Sequence, residues 1–368
     1  MSTELQLFKC PSCGATLEIP AGQKMMKCTY CNSSVIVPGE GDSGSTVEQS
    51  TDTFDAGGCS RLGRNIALAA AALLVAGAIG VFVLLKQHGC GIASRPFADS
   101  VLAFGQKGIG AGMLNDPRSV GVDHDGKIYA GDFNDGRVNI FDATGKFLRL
   151  IHLGNDTCIR SMAVAPDGTL YLSYDGKIHR LNAKGNDTQL GYADEYGHPV
   201  YFDSIVLGTD GSLVAACQSE KIIRFGPDGT VNLTIPKAFS SVTGHMELDV
   251  KLAVDGLGNI YALGTFNNLV LKYNANGKYV DQFGGKTEHP AEGVDEGRFQ
   301  AAEAITVDGH GRIFVSDIWG IQVFDDSGRF LKFFKLDGVA FGMAFDLSND
   351  LYVASNKPAI IKLRIQAP

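Results

Sequence analysis

Four cysteines in the first 31 residues are the side chains most ready for chemistry in this chain. They fall as two C-x-x-C pairs, Cys10 with Cys13 and Cys28 with Cys31, fourteen residues apart. Each pair aims both sulfurs at one point, Gly14 and Asn32 tolerate the backbone angles that follow, and two pairs supply the four soft ligands that suit tetrahedral Zn²⁺. Four thiolates leave no open coordination position, so such a metal would be structural and not catalytic. About forty residues cannot bury a stable core unaided, and metal binding would provide the missing folding energy. A redox dithiol pair or two disulfides are the competing readings, and both rank below zinc.

After the two pairs, Ala15 to Pro20 and Ser34 to Pro38 read as short strands. Residues 1–38 thus resemble the zinc-ribbon family, carried by K-C-P-S-C-G and K-C-T-Y-C-N. The first histidine is His88, so the eight ligands of a two-zinc ubiquitin-ligase finger are lacking.

These cysteines must be positioned within a chain of 368 residues that changes chemistry three times. Residues 39–65 are small, polar and acidic, as in a flexible linker. Ile66 to Leu85 (IALAAAALLVAGAIGVFVLL) then runs twenty residues without a charge, matching the length of a single transmembrane α-helix. Ala72, Ala76 and Gly80 share one face of that helix, which would let a second copy approach and form a homodimer. Residues 86–97 read as a juxtamembrane linker. Arg61 and Arg64 on one side balance Lys86 and Arg95 on the other, so charge leaves orientation tied. Thiolates persist best in a reducing compartment, which places the cysteine module in the cytosol and residues 98–368 outside the cytoplasmic membrane. The formal net charge of −8 argues against a nucleic-acid-binding face.

From about residue 98 a unit of 40 to 50 residues recurs. In the clearest copy Pro117-Arg118-Ser119-Val120-Gly121-Val122 precedes a D-G turn, then KIYAGD, a second D-G turn, RVNIFD, a T-G turn and KFLRLIH. Units beginning at Ser161, Ser204, Leu252, Ala304 and Gly342 repeat the order. The patterns D-x-x-G-x-I-Y-x-x-D and V-x-x-F-D-x-x-G resemble the NHL-repeat family, and the resemblance implies an all-β, six-bladed β-propeller (NHL-like). The last unit supplies three strands, and Ser100 to Gly105 is expected to pair with them as the fourth, closing the ring. The second blade has a short last strand near Thr188 to Tyr192, and the loop from Ala291 to Phe299 is longer than its equivalents.

Aligning the units puts Arg118, Arg160, Asp203, Val250, Glu303 and Phe341 at equivalent positions before the innermost strands. Two neighbouring arginines would grip a carboxylate or phosphate through planar donor forks, while pairing with Asp203 and Glu303 would make the ring self-neutralising. The expected role is a binding scaffold holding a protein, peptide or glycan partner. Propellers of this resemblance include metal-dependent lyases and lactonases, which makes an enzyme the alternative, with Asp203, Asp249 and Glu303 as oxygen donors for Ca²⁺. No histidine recurs at equivalent positions, and His124 and His310 fall in hairpin turns. Ubiquitin ligases that join a zinc module to an NHL propeller are a more distant alternative.

Overall fold

A computed structural model describes short paired strands within residues 1–37, and residues 96–366 apart from 183–185, 194–195, 199, 218–219, 290–292 and 358. In the N-terminal part, Leu5–Lys9 pairs antiparallel with Thr16–Pro20, and Met25–Lys27 with Ser34–Ile36. Strands thus follow each C-x-x-C pair, as the sequence suggests. The four cysteines themselves, the linkers and the apolar run 66–85 lie outside the described residues. Among the described residues no helix is long and apolar enough to cross a membrane.

Residues 97–366 form six four-stranded antiparallel sheets arranged as a ring. The first blade shows the plan, with Pro117–Val122 innermost, then Ile128–Asp132, Arg137–Phe141 and Phe147–His152 outermost. Blades two to five begin with Ser161–Val164, Phe202–Leu207, Val250–Val254 and Ala304–Val307. The sixth comprises Ala340–Phe345, Asp350–Ser355 and Ala359–Ile365. Its outer strand is Ala98–Phe104, which pairs with Ala359–Ile365 and closes the ring as the repeat arithmetic requires. The outer strand of blade two is short, at Asp187–Leu190.

There is no central core. Six apolar clusters instead fill the spaces between neighbouring blades. Both faces of a blade meet a neighbour, so middle strands such as Ile128–Asp132 bury every residue. The alternation along these strands decides which neighbour a side chain faces: Ile128 and Ala130 pack towards blade six, and Tyr129 towards blade two. The outer strands meet water, and Leu148 and Leu150 stand exposed there.

Hydroxyls join the inner strands where they come together around the axis. Ser161 Oγ accepts from the Ile205 N–H at 3.0 Å, and Ser204 Oγ accepts from the Leu252 N–H at 3.1 Å. Backbones also approach closely. A Cβ on Gly342 would lie 2.6 Å from the Arg118 carbonyl oxygen, so only glycine fits where blade six meets blade one.

The aspartate that ends the I-Y-x-x-D pattern organises the loop that leads into the inner strand of its own blade. Asp132 accepts the N–H groups of Asn115 and Asp116 at 3.0 and 3.1 Å. Asp317 accepts those of Gln300, Ala301 and Ile318 at 3.1, 2.8 and 2.8 Å. In blade four this position is Gly264, and the carboxylate of Glu247 reaches in from the preceding loop to the space a side chain there would occupy. It accepts N–H bonds from Leu248, Asp249, Phe266 and Asn267 at 2.9 to 3.3 Å and is fully buried. The role persists while the residue that fills it has moved along the chain.

Turns on the opposite face are built by a second set of aspartates. Asp142 accepts the Thr144 and Lys146 N–H groups and the Thr144 hydroxyl, and Asp325 repeats this with Ser327 and Arg329. For Asp142 the Thr144 hydroxyl bond is the largest cause holding the carboxyl below its usual range.

Candidate functional site

The residues that begin the inner strands converge on one end of the channel, the face carrying the connections from one blade to the next. A cavity of about 420 Å³ opens there and is lined at its mouth by Arg118, Phe133, Arg160, Asp203, Lys251, Glu303 and Phe341. All four site residues read from the sequence in the propeller are therefore brought together. Val250 is not among the lining residues. It pairs directly with Gly264 and is buried, so Lys251 takes the place at the mouth. In blades one, three and six the strand register slips between Pro117 and Ser119, Phe202 and Ser204, and Ala340 and Gly342, which leaves Arg118, Asp203 and Phe341 as the unpaired residues that line the mouth.

Arg118 is held on three sides. Its Nε donates to both carboxylate oxygens of Asp116 at 3.1 and 3.2 Å, and its guanidinium lies 4.6 Å from the Phe133 ring centroid and 5.1 Å from that of Phe341. The side chain is still 44 % exposed, and no hydrogen bond engages Nη1 or Nη2 among the described residues. A fork that is fixed in place with its outer edge open suits a carboxylate or phosphate. Neither Asp116 nor Phe133 begins an inner strand, so aligning strand starts misses them. The D-P-R tripeptide and the phenylalanine directly after the second strand were the available signals.

Two further ion pairs complete the rim. Arg160 Nη1 lies 3.3 Å from Asp203 Oδ1, and Lys251 Nζ lies 2.8 Å from Asp249 Oδ1. Glu303 is half-buried and has no hydrogen-bond or ion-pair partner for its carboxyl among the described residues. Burial raises its pKa above the ordinary value near 4.5, and Lys251 offsets part of that rise from a distance.

The sign of this shift sets an expected result. A carboxyl whose folded pKa is raised binds its proton more tightly in the folded chain, so its contribution to stability falls as pH climbs above the unfolded value. Glu303→Gln should therefore melt at a higher temperature than the parent at pH 7, with the gap closing at pH 4. Thermal unfolding at both pH values measures this, and an equal gap at both would contradict it.

The oxygen donors do not fit a divalent cation. Asp203 and Asp249 each face a side-chain cation, and no three His, Cys, Asp or Glu side chains gather into a metal-binding group among the described residues. His124 and His310 sit exposed in hairpin turns on the opposite face. His179 stacks on Tyr174 within blade two and lies 2.8 Å from Asp187, away from the mouth.

No known protein family and no curated protein sequence matches the chain. Its fold does match solved structures. A gluconolactonase from Xanthomonas campestris is similar over 68 % of this chain and 86 % of its own, at 18 % identity and a TM-score of 0.54. Streptogramin B lyase is similar over 73 % of this chain and 98 % of its own, at 14 % identity and a TM-score of 0.52. The WD40 propeller of Doa1 shares 14 % identity over 73 % of this chain and 97 % of its own, with a TM-score of 0.50. The chain folds as a six-bladed β-propeller. Likeness at this identity establishes the architecture and carries no activity with it.

The mouth face also differs from the rest of the surface in its apolar character. Of the large apolar side chains that stand exposed among the described residues, half lie in the loops of this face, among them Ile109, Tyr201, Met246, Leu248 and Phe266. On the opposite face only Leu257 and Leu347 do so among the described residues.

Proposed function

We propose that the protein is a binding scaffold whose propeller holds a protein or peptide partner at the channel mouth, anchored by an acidic group of that partner on Arg118. The observation that carries this reading is the fixed guanidinium with its open outer edge. The exposed apolar loops around the mouth favour a protein or peptide, since they offer contact area that a lone small anion would not use.

Loss of Arg118 removes a charge-assisted, two-pronged contact worth about 1.5 to 3 kcal/mol, roughly a 10- to 100-fold change in affinity. Arg118→Ala should therefore weaken the binding of acidic peptides by that factor, and Arg118→Lys should restore only part of it. Peptide arrays scored against the full chain and both variants measure this. Equal binding by parent and Arg118→Ala would end the proposal.

Lactonase- or lyase-type catalysis is the second reading, favoured by Glu303, a half-buried carboxyl with a raised pKa in a cleft. Ester or lactone turnover that disappears in Glu303→Ala would support it.

The same proposal gives the chain an NHL-type propeller joined to a structural zinc ribbon through Cys10, Cys13, Cys28 and Cys31, with Ile66 to Leu85 as the membrane anchor. The ribbon would lie in the cytosol and the propeller outside. The C-x-x-C spacing, the flanking antiparallel strand pairs and the uncharged twenty-residue run support this arrangement. Metal analysis of the full chain should find one zinc per chain, lost in Cys28→Ser. A reduced, folded sample without zinc would refute the ribbon.

A further inference from the structure

The charges at the mouth do not balance among themselves. Arg118 sits against Asp116, Arg160 against Asp203 and Lys251 against Asp249, so each cation already has an anion. Asp317, the remaining acid near Glu303, is buried and accepts backbone N–H groups. Glu303 is left over, a carboxyl on the rim that no cation among the described residues pairs with directly. A bound cationic group would complete it.

Blade order fixes what lies between this acid and the arginine anchor. Glu303 directly precedes the inner strand of blade five, Arg118 lies near the start of that of blade one, and the residue between them on blade six is Phe341, whose ring packs against the Arg118 guanidinium. Around the mouth the sequence of surfaces is therefore an unpaired acid, an aromatic ring and a guanidinium with an open edge.

We infer that the mouth takes a zwitterionic head: a carboxylate on Arg118, an ammonium group on Glu303, and a short apolar spacer over Phe341. A free ω-amino acid and the C-terminal lysine of a peptide share this chemistry. The inference rests on the anion-anchor reading of Arg118 and adds the second charge and the spacer to it. Burial that disfavours the lone Glu303 anion also makes the mouth more receptive to a counter-charge.

The probes are 6-aminohexanoate, hexanoate and hexylamine, titrated into the detergent-solubilised full chain by calorimetry or ligand-observed NMR. 6-Aminohexanoate should bind at least about 10-fold more tightly than either single-charge analogue. Glu303→Gln should erase that preference and leave hexanoate binding intact, while Phe341→Ala should weaken all three probes, since each lays its alkyl chain over that ring. A peptide ending in lysine is compared with its C-terminal amide. Tighter binding of the free-acid peptide than of 6-aminohexanoate assigns the head to a peptide, and the reverse assigns it to a free amino acid. Equal affinities for 6-aminohexanoate and hexanoate, or an unaltered ratio in Glu303→Gln, would overturn the zwitterion while leaving the Arg118 anchor standing. Failure of all three probes to bind would overturn it as well. Equal binding of the carboxylate probes by the parent and Arg118→Ala would remove the anchor too.

Discussion

Deleting residues 97–105 should abolish cooperative folding of the propeller. The deletion removes the outer strand of blade six, exposes the full edge of Ala359–Ile365 and uncovers the apolar cluster between blades five and six where Phe97 and Ala98 pack. Phe104 leaves with it, and its ring packs edge-on against Phe141 at 4.9 Å in the cluster between blades six and one. An unpaired edge flanked by two opened clusters is also a template for aggregation. Only about 5 to 15 kcal/mol usually separates a folded domain from its unfolded chain, so opening a sheet edge and two clusters together draws on a small margin. Circular dichroism melts should show a broad, early transition in place of a sharp one. Grafting the deleted segment after Gln366 through a short turn should restore the sharp transition, because Ile365 already lies opposite Ala98 and a hairpin would join them. A deleted chain that still melts sharply at the parent temperature would show that the ring does not need this closure.

Glu247→Ala should destabilise the propeller by about 3 to 5 kcal/mol, since it strands several backbone N–H groups in a fully buried loop. Urea unfolding gives the number, read from the midpoint at constant slope. Gly264→Asp, made in the Glu247→Ala background, should recover part of the loss by returning an acid to the position that Asp132 and Asp317 hold in blades one and five. Recovery stays partial because a Cβ at residue 264 would meet the Phe239 ring at 2.7 Å. A cost under 1 kcal/mol for Glu247→Ala would mean that these N–H groups find water instead.

Much of this architecture is legible in the chain itself. The D-x-x-G turns and the strand patterns between them mark the blades, and the three-stranded remainder after Gly342 requires a partner, which Ala98–Phe104 supplies. A residue's place is not legible where it depends on register. Counting from the turns treats Val250 as equivalent to Arg118, yet blade four pairs straight through Val250 and Gly264, whereas blade one slips between Pro117 and Ser119. A one-residue slip exchanges the inward and outward positions of a strand end, and Lys251 occupies the mouth as a result. Glu247 was hidden for a related reason. It lies seventeen residues ahead of Gly264, outside any repeat pattern, and only the fold brings its carboxylate to the vacated position. Asp116 and Phe133 belong to the same class, because their significance comes from the guanidinium they enclose and not from a recurring motif.

The pairing of Ala98 with Ile365 has a mechanical side. The two strands run antiparallel, so the chain enters and leaves the ring side by side at one corner of blade six. Tension applied between those points would meet the backbone hydrogen bonds one pair at a time, as in opening a zip, and not all together as in shear. A seam that resists heat as part of a cooperative whole would then yield to a small pull. Any force reaching residue 97 from upstream, with the C-terminal end held, would be spent first on this strand and would open the ring before it disturbed the five blades that are each continuous in sequence.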